Sequence, residues 1–246
     1  MHDRQTEVEH YEPLPPTGDG SVFDAEEYTK PAVRLSLTVL EYFHQTLARR
    51  GAAIAAVVRH EADAATIPFP DDAEGWAFPC DVTREDAVVS CFQAIHHQLG
   101  GLDALVHTVG GWASSDLHET TLDEWSRLMA LNLTSTFLCF REASRYMTGG
   151  RGRLIAIAAG QGADKGRGGQ AAYSASKAGV IRLVEAAAEE FQGHITAHAV
   201  APSILLEEGE TGKGVSAKAI AELCAHLCAG GGDALNGATL RAYGLG

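Results

Sequence analysis

The chain has 246 residues, 46% hydrophobic and 21% charged, the composition of an ordinary globular protein with one sizeable core. Its 19 basic and 32 acidic residues leave a net charge of −13 and a pI near 5.2, which excludes the diffuse basic field that attracts nucleic acid. The opening MHDRQTEVEHYEPLPP lacks the basic-then-apolar order of a secretory signal, and no stretch reaches membrane-spanning length, so a cytoplasmic protein engaging neither nucleic acid nor membrane is expected.

Residues 1–30 carry eight acids against Arg4 and Lys30, together with Pro13, Pro15 and Pro16, and read as an acidic arm preceding a single domain over 31–246. From Pro31 to Arg50, Val33, Leu37, Leu40, Phe43 and Leu47 share one helical face; a helix closed at Gly51 is expected. The alternative, a strand across 33–40, would alternate Arg34, Ser36 and Thr38 on a face that a central parallel strand buries. Beyond Gly51, strands are expected at 52–58, 76–80, 103–108, 153–158, 194–200 and 238–243. Between them come helices near 84–98, 122–147, 171–192 and 215–229. Strand alternating with helix at this spacing predicts an α/β protein, a doubly wound parallel sheet with right-handed crossovers.

Five scattered cysteines, Cys80, Cys91, Cys139, Cys224 and Cys228, are an odd number in a chain too large to need disulfide staples, and read as reduced thiols packed as small apolar groups. His96 and His97 are adjacent on a helix and point apart, so they make no metal site. Cys224 and Cys228 lie one turn apart beside Leu223 and Leu227, a core pattern.

The segment Tyr173-Ser174-Ala175-Ser176-Lys177 opens the helix near 171–192. Residues four apart share a helix face, so the Lys177 ammonium can approach the Tyr173 hydroxyl. A nearby cation favours phenolate and would lower the phenol pKa, making Tyr173 a usable acid or base.

Taken together, YSASKAGV after a glycine-rich loop, Asp81-Val82-Thr83 after a strand, Val106-His107-Thr108-Val109-Gly110-Gly111 after the next, and Asn132-Leu133-Thr134 resemble the short-chain dehydrogenase/reductase family, from about Gly51 to the C-terminus. The resemblance implies a Rossmann-type sheet of strand order 3-2-1-4-5-6-7 and an NAD(H) or NADP(H) cofactor. It implies Tyr173 as catalytic acid, Lys177 as its pKa-lowering partner and a ribose ligand, and Asn132 as holder of a water in a proton relay. Asp81 and Val82 would contact adenine, and the Gly110 backbone would pass close to the cofactor. The turn Val109-Gly110-Gly111-Trp112, the segment Val200-Ala201-Pro202-Ser203-Ile204 and the final Ala242-Tyr243-Gly244 resemble the family's dihydropteridine-reductase-like branch.

Three places depart from the family pattern. Its glycine-rich phosphate loop would fall at 33–40, which holds no glycine. Arg34, Thr38 and Leu40 there remove the turn and the close backbone approach, so either dinucleotide should bind weakly or not at all in the usual pose. Thr17-Gly18-Asp19-Gly20 follows no apolar strand and reads as a turn. Gly160 stands 13 residues before Tyr173, where the family has a serine; the dihydropteridine-reductase-like branch tolerates that loss. Glu207 occupies the position of a nicotinamide-contacting threonine, and with Glu208 and Glu210 it lies in a short loop where a substrate lid is usual. Arg59, after the second strand of the family pattern, replaces the ribose-gripping acid, which favours NADP(H). An exposed arginine after a strand is the bland alternative. His107 replaces an asparagine and is either a ligand contact or a buried, hydrogen-bonded histidine.

Two functions follow from these residues. One is an oxidoreductase transferring hydride between NAD(P)(H) and a small conjugated carbonyl or quinonoid substrate, with Tyr173 as acid/base. The other keeps the fold without nicotinamide chemistry, as a non-catalytic partner of an active paralogue or a cofactor-independent isomerase or cyclase. Apolar residues on more than one face of the helices near 122–147 and 171–192 predict an oligomer, either of identical chains or mixed with a paralogue.

Overall fold

The computed structural model describes residues 42–64, 67, 69, 74–206 and 212–244. The acidic arm, the segment 33–40 and Glu207, Glu208 and Glu210 lie outside the described residues. Of the helix expected over 31–50, residues 42–48 are described and are helical.

Six apolar runs form parallel strands within two residues of their expected ends: β1 (Ile54–Val58), β2 (Gly75–Pro79), β3 (Ala104–His107), β4 (Gly152–Ile157), β5 (Ile195–Pro202) and, after the short pair β6 (Leu205–Leu206) and β7 (Val215–Ser216), β8 (Thr239–Ala242). The helices between them are α1 (Glu85–Leu99), α2 (Leu122–Met129), α3 (Ser135–Tyr146), α4 (Ala171–Glu190) and α5 (Ala217–Cys228). β1 pairs with β2, and β3-β4-β5-β8 form a four-stranded parallel sheet. If β1 and β3 are taken as second and fourth strands of the family order, the first strand's place falls between them; among the described residues those two strands do not pair.

Side-chain alternation on β4 shows why helices lie on both faces. Leu154 and Ala156 pack with α1, α3 and α4 residues such as Phe92, Phe140 and Val184. Ile155 faces the other way, onto Phe43, Ile220 and Leu227. A strand buried on both faces needs apolar residues at every position. Cys80, Cys91, Cys139 and Cys224 are free and buried in these two clusters, packed as the small apolar residues expected.

Three expectations need correction. The helix expected over 122–147 is interrupted by a π-helical turn at Ala130–Thr134, so α2 and α3 are separate. Thr121 caps α2, its hydroxyl accepting from the Glu124 N–H at 3.1 Å, an N-cap contact that satisfies one orphan donor. The second concerns how many of the apolar residues expected on more than one face lie outside the core-facing stripe. Leu138, Phe140, Val180, Ile181 and Val184 all face the core, each contributing about 1.5–3 kcal/mol relative to exposure, and Phe137 is the large apolar residue of α3 left exposed. The third is the region after Pro202, which holds the β6/β7 pair where a plain polar loop was expected.

Candidate functional site

The first turn of α4, the π-helical turn and the loop after β3 converge at the carboxyl ends of β3 and β4, the side of a parallel sheet where ligands bind. The convergence is tight at Gly110. A Cβ there would stand 2.8 Å from Asn132 Oδ1 and 3.0 Å from Lys177 Nζ, so the backbone passes both groups at a distance only glycine permits.

Asn132 is fully buried. Its Oδ1 accepts from Gly111 N–H at 2.8 Å, while Nδ2 donates to Gly111 O at 3.0 Å and to Ser176 Oγ at 2.9 Å. Its backbone carbonyl accepts from Thr136 Oγ1 at 2.7 Å. These bonds use both Nδ2 hydrogens and one of the two Oδ1 lone pairs, and they fix the β3 loop against α4.

Lys177 is buried, and its ammonium donates to the Ile157 carbonyl at 2.8 Å. Burial lowers its pKa to about 8. The ammonium carries three donors, and the Ile157 bond uses one of them. The Tyr173 hydroxyl has no hydrogen-bond partner among the described residues, and burial raises the phenol to about 12. This reverses the expected lowering. Four-residue spacing places the two residues on one stretch of α4, but the ammonium is held by a strand-end carbonyl and desolvation governs the phenol.

His107 is buried with Nε2 3.0 Å from Ser135 Oγ. The Ser135 hydrogen is spent on Leu131 O at 2.5 Å, which leaves Nε2 as the donor. Burial, followed by the Lys177 charge, lowers the His107 pKa to about 3, so the imidazole is neutral. Of the two readings of His107, the structure shows the buried, hydrogen-bonded one. Its partner Ser135 lies 28 residues away, beyond the reach of any local pattern, as does the Ile157 carbonyl. Ser176 was legible only as part of the YSASK motif.

The remaining expected positions follow the carboxyl ends of β1, β2 and β4. Arg59 directly follows β1 and is half-buried. Asp81 and Val82 follow β2; Asp81 Oδ1 accepts from Thr83 N–H at 3.0 Å and from Thr83 Oγ1 at 2.6 Å, and Val82 is buried. Gly160 opens a one-turn helix (Gly160–Ala163), and a Cβ on it would meet Tyr243 Oη at 3.4 Å. His96 stacks on Tyr146 at 4.8 Å, away from the convergence. The described donors fit a dinucleotide at two places: the close Gly110 backbone with the unspent donors of Lys177 suits ribose hydroxyls, and the Asp81-Val82 turn suits a base edge.

The family model for short chain dehydrogenase matches residues 41–213. The 3-oxoacyl-[acyl-carrier-protein] reductase MabA of Mycobacterium tuberculosis is 38% identical over 128 residues, 51% of this chain and 51% of that protein. A 3beta-hydroxysteroid dehydrogenase of Mediterraneibacter gnavus is 34% identical over 161 residues, 63% of this chain and 58% of that one. The chain spans about half the length of the curated relatives it matches. A solved dehydrogenase/reductase from Sinorhizobium meliloti superposes with a TM-score of 0.75 at 27% identity, covering 84% of this chain and 90% of its own. With the strand order, the strand-end convergence and a family match over most of its length, this chain belongs to the short-chain dehydrogenase family.

Proposed function

We propose that the chain is an NAD(P)(H)-dependent oxidoreductase acting on a small conjugated carbonyl or quinonoid substrate, with Tyr173 as the proton donor. The observation that carries this reading is the Gly110 crossing, where Asn132 and Lys177 stand within a van der Waals contact of one backbone position. A fold kept for packing alone has no need to bury a lysine ammonium there, because desolvating an ion costs several kcal/mol. The relatives named as reductase and dehydrogenase support the oxidoreductase reading over a fold without nicotinamide chemistry.

A nicotinamide dinucleotide, when bound, supplies or accepts the hydride. Gly110 and Lys177 would hold its ribose, Asp81 and Val82 its adenine, and Arg59 would favour the extra phosphate of NADP(H). The phenol of Tyr173, raised to about 12, keeps its proton at neutral pH. It is thus set to give that proton to a carbonyl oxygen as the carbon is reduced to the alcohol. Lys177, one turn along α4, would use a donor left over from the Ile157 bond to stabilise the phenolate, and solvent would return the proton. Asn132 acts by holding the β3 loop. The thiols, all free, support a reducing compartment such as the cytoplasm.

The test is turnover of carbonyl and quinone substrates with NADPH or NADH by the full chain and by Tyr173→Phe. A loss of at least about 100-fold in kcat, with dinucleotide affinity moved less than about threefold, supports the reading; unchanged kcat overturns it. Calorimetry on the same samples separates the loop question. Arg34, Thr38 and Leu40 predict affinity weaker than micromolar, and micromolar binding would restore the usual pose while leaving the Tyr173 test intact.

A further inference from the structure

The carboxyl ends of β4, β5 and β8 border an open cleft of about 630 Å³. Its walls include Gly160, Lys165, Arg167, Ile204 and Tyr243. Among the described lining residues, the unpaired charge is of one sign. Asp164, the acid in its wall, is spent: one carboxylate oxygen accepts from Arg241 Nε at 2.7 Å and the other from the Tyr243 hydroxyl. Lys165 and Arg167 are exposed and form no ion pair among the described residues. Among the described residues, the cleft therefore offers two cations without an ion-pair partner.

The loop bearing these cations is held against the Tyr173 helix. Arg167 N–H donates to Ser174 Oγ at 3.3 Å, one residue from Tyr173. A Cβ on Gly162 would meet the Lys177 carbonyl carbon at 2.5 Å, so the loop lies on the α4 backbone at the lysine. The Ser115 N–H donates to Gly169 O at 2.9 Å, which ties the far end of the loop to the segment after β3. Gly160 leaves the wall nearest the strand end without a side chain.

We propose that this cleft seats the anionic end, a carboxylate or a phosphate, of the substrate whose carbonyl is presented to Tyr173, with Lys165 and Arg167 as its ligands. The planar Arg167 guanidinium can take such a group in two parallel hydrogen bonds, and Lys165 adds a point charge. The word substrate rests on the oxidoreductase reading above; the anion site does not.

Two measurements on the full chain test it. Inorganic phosphate and propionate are titrated separately at low ionic strength, and the amide shifts of Arg167 and Gly168 are read by NMR. A saturating shift with either probe, weakened by about tenfold or more in Lys165→Ala/Arg167→Ala, supports the site, and the probe that saturates first identifies the headgroup. Shifts that do not saturate, or that persist in the double variant, overturn it. In the second measurement, an α,β-unsaturated oxo acid and its methyl ester are compared as substrates with NADPH. The acid is expected to have a kcat/KM about tenfold higher, a ratio that falls to near one in the double variant; equal values in the unaltered chain overturn the substrate assignment. Absence of turnover with both compounds counts against the oxidoreductase reading, while the titration still decides the anion site.

Discussion

Asn132 and Gly111 hold each other twice: the Gly111 N–H donates to Asn132 Oδ1 at 2.8 Å, and Asn132 Nδ2 donates to Gly111 O at 3.0 Å. The third bond, to Ser176 Oγ at 2.9 Å, joins the β3 loop to α4 through one fully buried side chain. Asn132→Ala would strand these buried groups, at about 1–3 kcal/mol for each one left unpaired. Urea denaturation should show a loss of about 3 kcal/mol or more, and a variant as stable as the unaltered chain would show that the network is replaced by water.

Gly110→Ala places a methyl 2.8 Å from Asn132 Oδ1 and 3.0 Å from Lys177 Nζ. Lys177 can swing aside but loses the Ile157 carbonyl, and Asn132 cannot move without breaking the Gly111 pair. A destabilisation of about 1–3 kcal/mol is expected, accompanied by loss of dinucleotide binding. Calorimetry showing unaltered binding would remove Gly110 from the cofactor site.

The buried ammonium makes stability depend on pH in a fixed direction. Lys177 falls from an ordinary 10.5 to about 8 because burial disfavours its charge. Between those values the unfolded chain binds more protons, so stability rises with pH above about 8, and the full cost of the buried charge is carried below it. Tyr173 acts oppositely, its pKa raised from 10 to about 12, so stability falls as pH rises from 10 through 12. Comparing the unaltered chain with Lys177→Met at pH 7.5 and 9.5 should shift their stability difference by about 2 kcal/mol in favour of the unaltered chain. A difference that does not change with pH would mean that Lys177 is solvated.

Gly160→Ser tests whether the missing hydroxyl limits the reaction. Its Cβ would meet Tyr243 Oη at 3.4 Å, an ordinary contact, so the melting temperature should barely move. A hydroxyl at this position adds a donor for the substrate oxygen, and kcat should rise by about tenfold or more. Unchanged kcat in a folded variant would mean that another group already serves that oxygen.

Exposed apolar side chains on α2 and α3 bear on assembly. Leu122 is 67% exposed, Phe137 43% and Trp125 36%, with Arg141 over the Phe137 ring at 5.5 Å. Light scattering should give a mass of at least two chains, and Phe137→Glu should shift it toward one. A monomer in the unaltered chain would refute the oligomer.

Apolar runs at regular spacing determined the strands and their parallel arrangement, because a strand buried on both faces must read as a continuous apolar run and its crossover helix must follow. YSASK placed Tyr173 and Lys177 on one helix for the same local reason, the 3.6-residue turn. The charge states within the site belong to the tertiary structure. Spacing alone suggested that Lys177 would lower the Tyr173 phenol, yet the Ile157 carbonyl from β4 holds the ammonium and burial raises the phenol. The partners of Asn132 were likewise decided by the fold: Gly111 lies 21 residues away and Ser176 44 away. The cleft holding Lys165 and Arg167 needed the ends of three strands, plus Arg241 to pair with Asp164 and the Tyr243 hydroxyl to hydrogen-bond it, both from about 80 residues away. Hydrogen-bond partners and desolvation depend on what the folded chain brings near, and no local period in a sequence encodes that.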